Sequence, residues 1–194
     1  FIICCLRNNV FIIDQHAADE KANYERLEAN TILKRQPLIV PAPLDVSASD
    51  EVMLLENREL FRKNGFDFFE DHAGRVGRRV LLKAVPYSKG IVFGPDDVRE
   101  LLAQLQGIGE GHVDSRTVVP RPSRVRTMLA SRACRYSIMI GRHLDLKQMK
   151  KVVFNLSTLR SPWNCPHGRP TMRHLVSLGA LNGPDGHACV GVEL

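Results

Sequence analysis

The chain has 194 residues, 44% apolar and 25% charged, with a net charge of +6 and a pI near 9.3, which suits an ordinary globular fold with room for a core. No apolar run approaches the roughly 18 residues of a membrane span, so no membrane contact is expected. Five cysteines is an odd number, and the chain is not small, which argues against a disulfide framework and for a reducing compartment. The first element is expected to be a hairpin. Phe1 to Leu6 forms one strand, Arg7-Asn8-Asn9 the turn and Val10 to Ile13 the second strand, since Asn tolerates left-handed geometry. The start at Phe1, with neither Met nor a basic leader, reads as a piece of a longer protein rather than a secretory signal.

A helix free of Gly and Pro follows from His16 to about Asn30. Gln36-Pro37-Leu38-Ile39-Val40-Pro41 is extended and apolar, and its prolines favour an edge strand or an exposed segment. The residues alone leave it either a crossing between lobes or a peptide-like docking motif. Ser47 to Asn64 is expected as one helix, capped by Ser47 or Ser49 and ended by Gly65. Phe66 to Glu70 and Val80 to Val85 read as strands around a polar turn from Asp71 to Arg79. A helix from Pro95 to Gln106 has proline at its first position, and a glycine-containing mobile loop is expected from Gly107 to Pro120.

Helices are expected again from Pro122 to Tyr136 and from Asp145 to about Leu159, with Asp145 and Gln148 spaced as a capping box. Arg124, Arg126, Arg132, Arg135, Lys147, Lys150 and Lys151 make these the most basic surface, which a solvated face and a nucleic-acid contact explain equally well. Ser161 to Pro170 is a loop stiffened by three prolines. Thr171 is expected to cap a final helix reaching Leu178, and Gly179 to Leu194 is Gly-rich and weakly patterned.

Chemistry concentrates in three segments. Asp14 to Glu25 places four carboxylates and an imidazole in twelve residues, directly after the apolar run Val10 to Ile13. His16 and Glu20 are one turn apart on one helix face and offer two ligands to one metal site. Cys134 lies in Ala133-Cys134-Arg135, and Cys165 and His167 are two apart on the proline-braced loop. Thiolate with imidazole favours zinc over magnesium, and added carboxylates admit manganese. Each piece also has an ordinary reading, as a surface His–Glu pair, a core cysteine or an incidental loop sequence. Spacing alone does not bring the three together.

Taken jointly, these segments resemble the MutL family. Asp14-Gln15-His16-Ala17 followed by Glu20 and Glu25 is similar to its endonuclease motif. Ser131-Arg132-Ala133-Cys134-Arg135 and Cys165-Pro166-His167-Gly168-Arg169-Pro170 resemble two further motifs in the same order. Pro122 to Arg126 and Pro162-Trp163-Asn164 resemble the eukaryotic PMS-type subunit of the MutL-alpha mismatch-repair complex. The resemblance implies a nuclear DNA-repair domain that nicks duplex DNA and pairs with a second MutL homologue.

It further implies a two-metal site that uses zinc, manganese or both. His16, Glu20, Cys134, Cys165 and His167 would be ligands, and Asp14, Glu20 and Glu25 catalytic acids. Glu20 would bridge or neighbour both ions, and Asp14 would bind the second ion or orient an imidazole. Two cations about 3.5–4 Å apart activate water and stabilise a leaving oxygen. Arg135 and Arg169 would hold phosphate or serve structure. Gln36, Leu38, Ile39 and Val40 would dock a sliding clamp. ATP would act only through an N-terminal domain outside this chain.

The implied fold is α+β with two lobes. Residues 1–36 and 136–194 form a dimerisation lobe with an antiparallel-containing sheet, and residues 37–135 form an inserted, smaller external lobe. Bacterial members carry a Phe-x-Arg near the C-terminus where this chain has Val190-Gly191-Val192-Glu193-Leu194, and the partner's C-terminus is expected to help complete the site. Two other classes remain open: a catalytically silent dimerisation and clamp-docking module with a structural zinc, and a metal-sensing DNA-binding regulator.

Overall fold

The computed structural model describes residues 1–88, 90–108 and 119–181. Most of the loop expected between Gly107 and Pro120, and nearly all of the stretch after Gly179 with its Val190 to Leu194 end, lies outside the described residues. In chain order the elements are β1 (Ile2–Leu6), β2 (Asn9–Ile13), α1 (Gln15–Asn30), β3 (Arg35–Pro43), α2 (Ala48–Glu56), α3 (Arg58–Lys63), β4 (Asp67–Glu70), β5 (Val80–Pro86), α4 (Pro95–Ile108), α5 (Ser123–Tyr136), α6 (Leu146–Ser157), β6 (Met172–Ser177) and α7 (Leu178–Leu181). Among the described residues, helices and two antiparallel sheets make this an α+β fold. It divides into two compact units, Phe1–Leu27 with Ala130–Leu194, and Glu28–Leu129.

The first unit is built on the expected hairpin. Arg7 and Asn8 take φ of 48° and 61°, the paired left-handed geometry that lets two residues close a twisted hairpin, with Leu6 opposite Asn9. Among the described residues the sheet order is β1-β2-β6, all antiparallel. The third strand corrects the expected final helix: Met172 to Ser177 pairs with β2, and only Leu178–Leu181 is helical. Local helix preference is worth only tenths of a kcal/mol per residue. The open edge of β2 offers a ladder of hydrogen bonds instead, and the ladder wins. Thr171 does not cap a helix; its carbonyl accepts the N–H of Asp14 (2.9 Å) as the chain enters the strand. Ile2, Ile13, Ala18, Leu144, Val152 and Leu156 form one buried cluster. Asp145 and Gln148 make the expected capping box at the start of α6.

The second unit holds a sheet of order β3-β5-β4 among the described residues. Its first strand is irregular. Gln36 and Pro37 pair with Val85 and Ala84, the register then breaks, and pairing resumes at Ala42 with Leu82. The helix expected from Ser47 to Asn64 is two helices. At Asn57 (φ −100°, ψ 22°) the side-chain amide donates to the Met53 carbonyl (2.9 Å), the same carbonyl that its backbone N–H uses, and the ladder restarts at Arg58. Ser47 caps the first helix with Asp50, and Gly65 ends the second at φ 83°. Gly65 tolerates no side chain, since an added Cβ would stand 2.9 Å from Pro86 Cα.

Leu44, Leu54, Phe61, Phe66 and Leu82 are fully buried, and the rings of Phe61 and Phe68 meet edge to face at 5.2 Å. Phe61→Ala should therefore cost about 3–5 kcal/mol, read as a fall in the urea midpoint. A change within error would mean that the helix α3 is not packed as described.

Candidate functional site

β2 runs straight into α1, and Asp14 occupies the junction. Its Oδ1 accepts the N–H groups of His16 (2.9 Å) and Ala17 (3.0 Å), so the first motif acid caps the helix. The cap leaves α1 with one polar, inward-facing stripe. Gln15 Nε2 donates to Arg142 O (2.7 Å), and Asp19 Oδ2 accepts Ile138 N–H (2.9 Å). Asn23 Nδ2 donates to Ser137 Oγ (3.1 Å), which in turn donates to Ala133 O (2.6 Å). These contacts clamp the chain that leaves α5 immediately after Cys134. Gln15, Asp19, Asn23 and Ser137 escaped the sequence reading. The signal available was the i, i+4, i+8 spacing of the three polar residues on one helix face.

The ligand candidates meet on this stripe. The His16 Nδ1–H donates to the Ile138 carbonyl (2.7 Å), which turns Nε2 toward Cys134 and Glu20. Nε2 faces Cys134 Sγ at 3.7 Å and Glu20 Oε2 at 3.9 Å. The other Glu20 oxygen, Oε1, lies 2.5 Å from His167 Nδ1. His16, Glu20 and Cys134 form one group, and Glu20, Cys165 and His167 another; within each, the ligand atoms lie within 4.8 Å of one another. Glu20, 1% exposed, belongs to both. The Cys165 loop is folded on itself by Cys165 N–H to Arg169 O and Gly168 N–H to Cys165 O, both 2.9 Å.

Burial pushes the Cys165 thiol up. Backbone hydrogen bonds at His167 and Arg169 pull the other way and Glu20 adds to the rise, so Cys165 is a protonated thiol until something displaces the proton. Two thiols, two imidazoles and one shared carboxylate are a donor set of the kind zinc takes, with oxygen to spare for a harder ion. Asp14 and Glu25 stand outside both groups. Arg135 and Arg169 are exposed. Gln36 and Leu38 to Val40 lie on β3 in the second unit; Ile39 is 102% and Val40 74% exposed, where the register breaks.

Glu25 accepts the N–H groups of Arg160 (3.0 Å) and Ser161 (3.2 Å) and pairs with Lys21 Nζ (3.2 Å). Burial raises its carboxyl, but the Arg160 N–H, the Lys21 ammonium and the Ser161 N–H together hold it below the usual carboxylate range. The ionised form thus stabilises the fold at neutral pH, and that contribution disappears as pH falls through the depressed value. Followed by carbon-13 NMR, Glu25 should titrate below the value of about 4.3 for free Glu. A midpoint at or above it contradicts these contacts.

Comparison with known proteins adds a family match and three relatives. Residues 1–144 match the family described as MutL C terminal dimerisation domain. The chain is 50% identical over 182 residues to the mismatch repair endonuclease PMS2 of Homo sapiens, covering 94% of this chain and 20% of that protein. It is 48% identical over 187 residues to the DNA mismatch repair protein PMS1 of Arabidopsis thaliana (93% and 20%), and 33% identical over 174 residues to the DNA mismatch repair protein MutL of Clostridium beijerinckii (87% and 24%). The chain spans about a fifth of the length of these curated relatives.

Proposed function

Because the chain belongs to the MutL C-terminal dimerisation domain family, we propose that it is the metal-dependent endonuclease and dimerisation portion of a PMS-type mismatch-repair protein, one that nicks duplex DNA in the nucleus. The observation that carries this reading is the buried Glu20 carboxylate shared by two ligand groups. His16 and Cys134 on one side, Cys165 and His167 on the other, would hold zinc, and the shared Glu20 carboxylate would also admit manganese. A cation held there supplies a Lewis acid for the phosphodiester and lowers the pKa of water. The chain's own residues supply the setting. His16 is fixed as a ligand by Ile138, Glu20 is kept from solvent, and Cys165 must release its proton to bind. The exposed Arg135 and Arg169 are suited to phosphate oxygens, and Asp14, besides capping α1, would serve as a catalytic acid.

The first unit has the surface that a partner subunit needs. Ile3 (60% exposed) and Leu6 on β1, with Phe154 on α6, are apolar and uncovered. Beside them lies a groove of about 570 Å³ lined by Cys4, Leu6, Phe11, Val153, Leu156 and Met172 among others. We assign this face to a second MutL homologue, whose C-terminus helps complete the site. In the second unit, Gln36 with the half-buried Leu38 and the outward Ile39 and Val40 is assigned to a sliding clamp, as a short strand segment suited to docking. ATP would enter only through another part of the full protein.

Purified with its partner, the protein should bind zinc and nick supercoiled DNA in manganese. Zinc affinity should fall in acid, because protons compete for the thiols and imidazoles. Asp14→Asn and Glu20→Lys should abolish nicking while the dimer persists on gel filtration. Asn caps a helix as well as Asp does, so loss in the first variant is not loss of the cap. Undiminished nicking by both variants overturns the assignment. A closed four-ligand zinc with no nicking under any metal would instead identify a silent dimerisation and docking module.

Ile39→Ala with Val40→Ala should weaken clamp binding measured by calorimetry, with zinc content unchanged. Equal clamp affinity removes the docking assignment alone.

A further inference from the structure

We propose that Glu25 is a positioning residue: its carboxylate latches the stem of the Ser161–Pro170 loop to α1 and so sets where Cys165 and His167 stand against Glu20. This rests on the metal reading above. Helix geometry separates Glu25 from the ligands. Five residues beyond Glu20, it is about 7.5 Å further along α1 and roughly 140° around it, so it does not share the ligand face. Both of its oxygens are used elsewhere: Oε2 takes the Arg160 N–H and Oε1 takes the Ser161 N–H, with Lys21 Nζ also on Oε1. Two consecutive amides on one carboxylate fix the direction of the chain as well as its position.

Lys21, one turn earlier, lies over the Tyr24 ring (5.8 Å from its centroid) and holds the carboxylate in place. From Ser161 onward the loop is braced internally. Thr171 Oγ1 donates to Pro162 O, Thr171 N–H to Trp163 O (3.0 Å), and Cys165 N–H to Arg169 O. A plate stiffened in this way moves as one body, and it meets β2 and α1 through Glu25 at its entry, His167 on Glu20 (2.5 Å) along its length and the Asp14 N–H to Thr171 O bond at its exit. Releasing the entry lets the plate pivot about the exit and carries Cys165 and His167 with it.

The test uses residues 1–194 with Glu25→Ala and the conservative Glu25→Gln, which keeps one acceptor oxygen. Hydrogen exchange on the metal-free protein reads the latch. Zinc competition and the thiolate-to-cobalt charge-transfer band of the cobalt(II) form read the ligand positions. Glu25→Ala should speed exchange at Arg160 and Ser161 and weaken zinc on the order of 10–100-fold, the usual effect of losing an outer support of a metal ligand. The cobalt band should weaken in step, and Glu25→Gln should recover part of each. Wild-type exchange at the two amides in Glu25→Ala overturns the latch. Faster exchange with unchanged zinc affinity and cobalt spectrum overturns the positioning role. If the unaltered chain takes up neither ion, the metal reading fails and the positioning role with it, an outcome distinct from the other two.

Discussion

A carboxylate removed from water must find compensation, and Glu20 is 1% exposed. Burying such a charge unpaired costs several kcal/mol even after relaxation. The surrounding structure answers that demand from two directions. One oxygen meets His167 from the loop, and the other faces His16 from the preceding turn of the same helix. Neither imidazole is free to wander. His16 is oriented by the Ile138 carbonyl, and Ile138 is itself held through its N–H by Asp19. The site is a chain of supports ending on one helix, with the buried carboxylate at its centre.

What brings the loop to that helix is strand pairing. β2 ends at Ile13 and becomes α1 through Asp14; β6 begins at Met172, just after the Cys165 loop and Thr171. Because β2 and β6 are antiparallel with Ile13 opposite Met172, the end of one strand and the beginning of the other are neighbours. The helix leaving β2 and the loop entering β6 therefore start from the same point. A helix from Thr171, as the local sequence suggested, would not have placed the third motif there. The Asp14 to Thr171 hydrogen bond marks the junction.

The second unit follows a different logic. Its sheet is packed on buried aromatic and aliphatic side chains, yet its β3 strand turns Ile39 and Val40 outward at a break in register. The strand pairs at both ends, and the register shifts between Pro37 and Ala42 across a stretch that contains Pro41, which has no N–H to give to a ladder. An apolar segment left in solvent by this means is poor packing and good display, which is the physical basis for reading it as a docking element.

Local chemistry was legible wherever a few neighbouring residues decide the outcome. The turn at Arg7 and Asn8, the Ser47 cap, the capping box of Asp145 with Gln148, the glycine after Asn64 and the proline opening α4 all act within four residues. The candidate ligands His16, Glu20, Cys134, Cys165 and His167 could also be named from the sequence, because thiol, imidazole and carboxylate chemistry is intrinsic to the residue type. Tertiary structure decided the rest. It broke the helix at Asn57, made a strand of Met172 to Ser177, turned Asp14 into a cap, and set Glu25 against the loop stem rather than among the ligands. Each of those outcomes turns on which partner a backbone N–H or carbonyl finds. For the Met172 to Ser177 strand and for Glu25, that partner lies across the sheet or more than a hundred residues away, where no local spacing can announce it, whereas Asn57 and Asp14 find theirs within four residues.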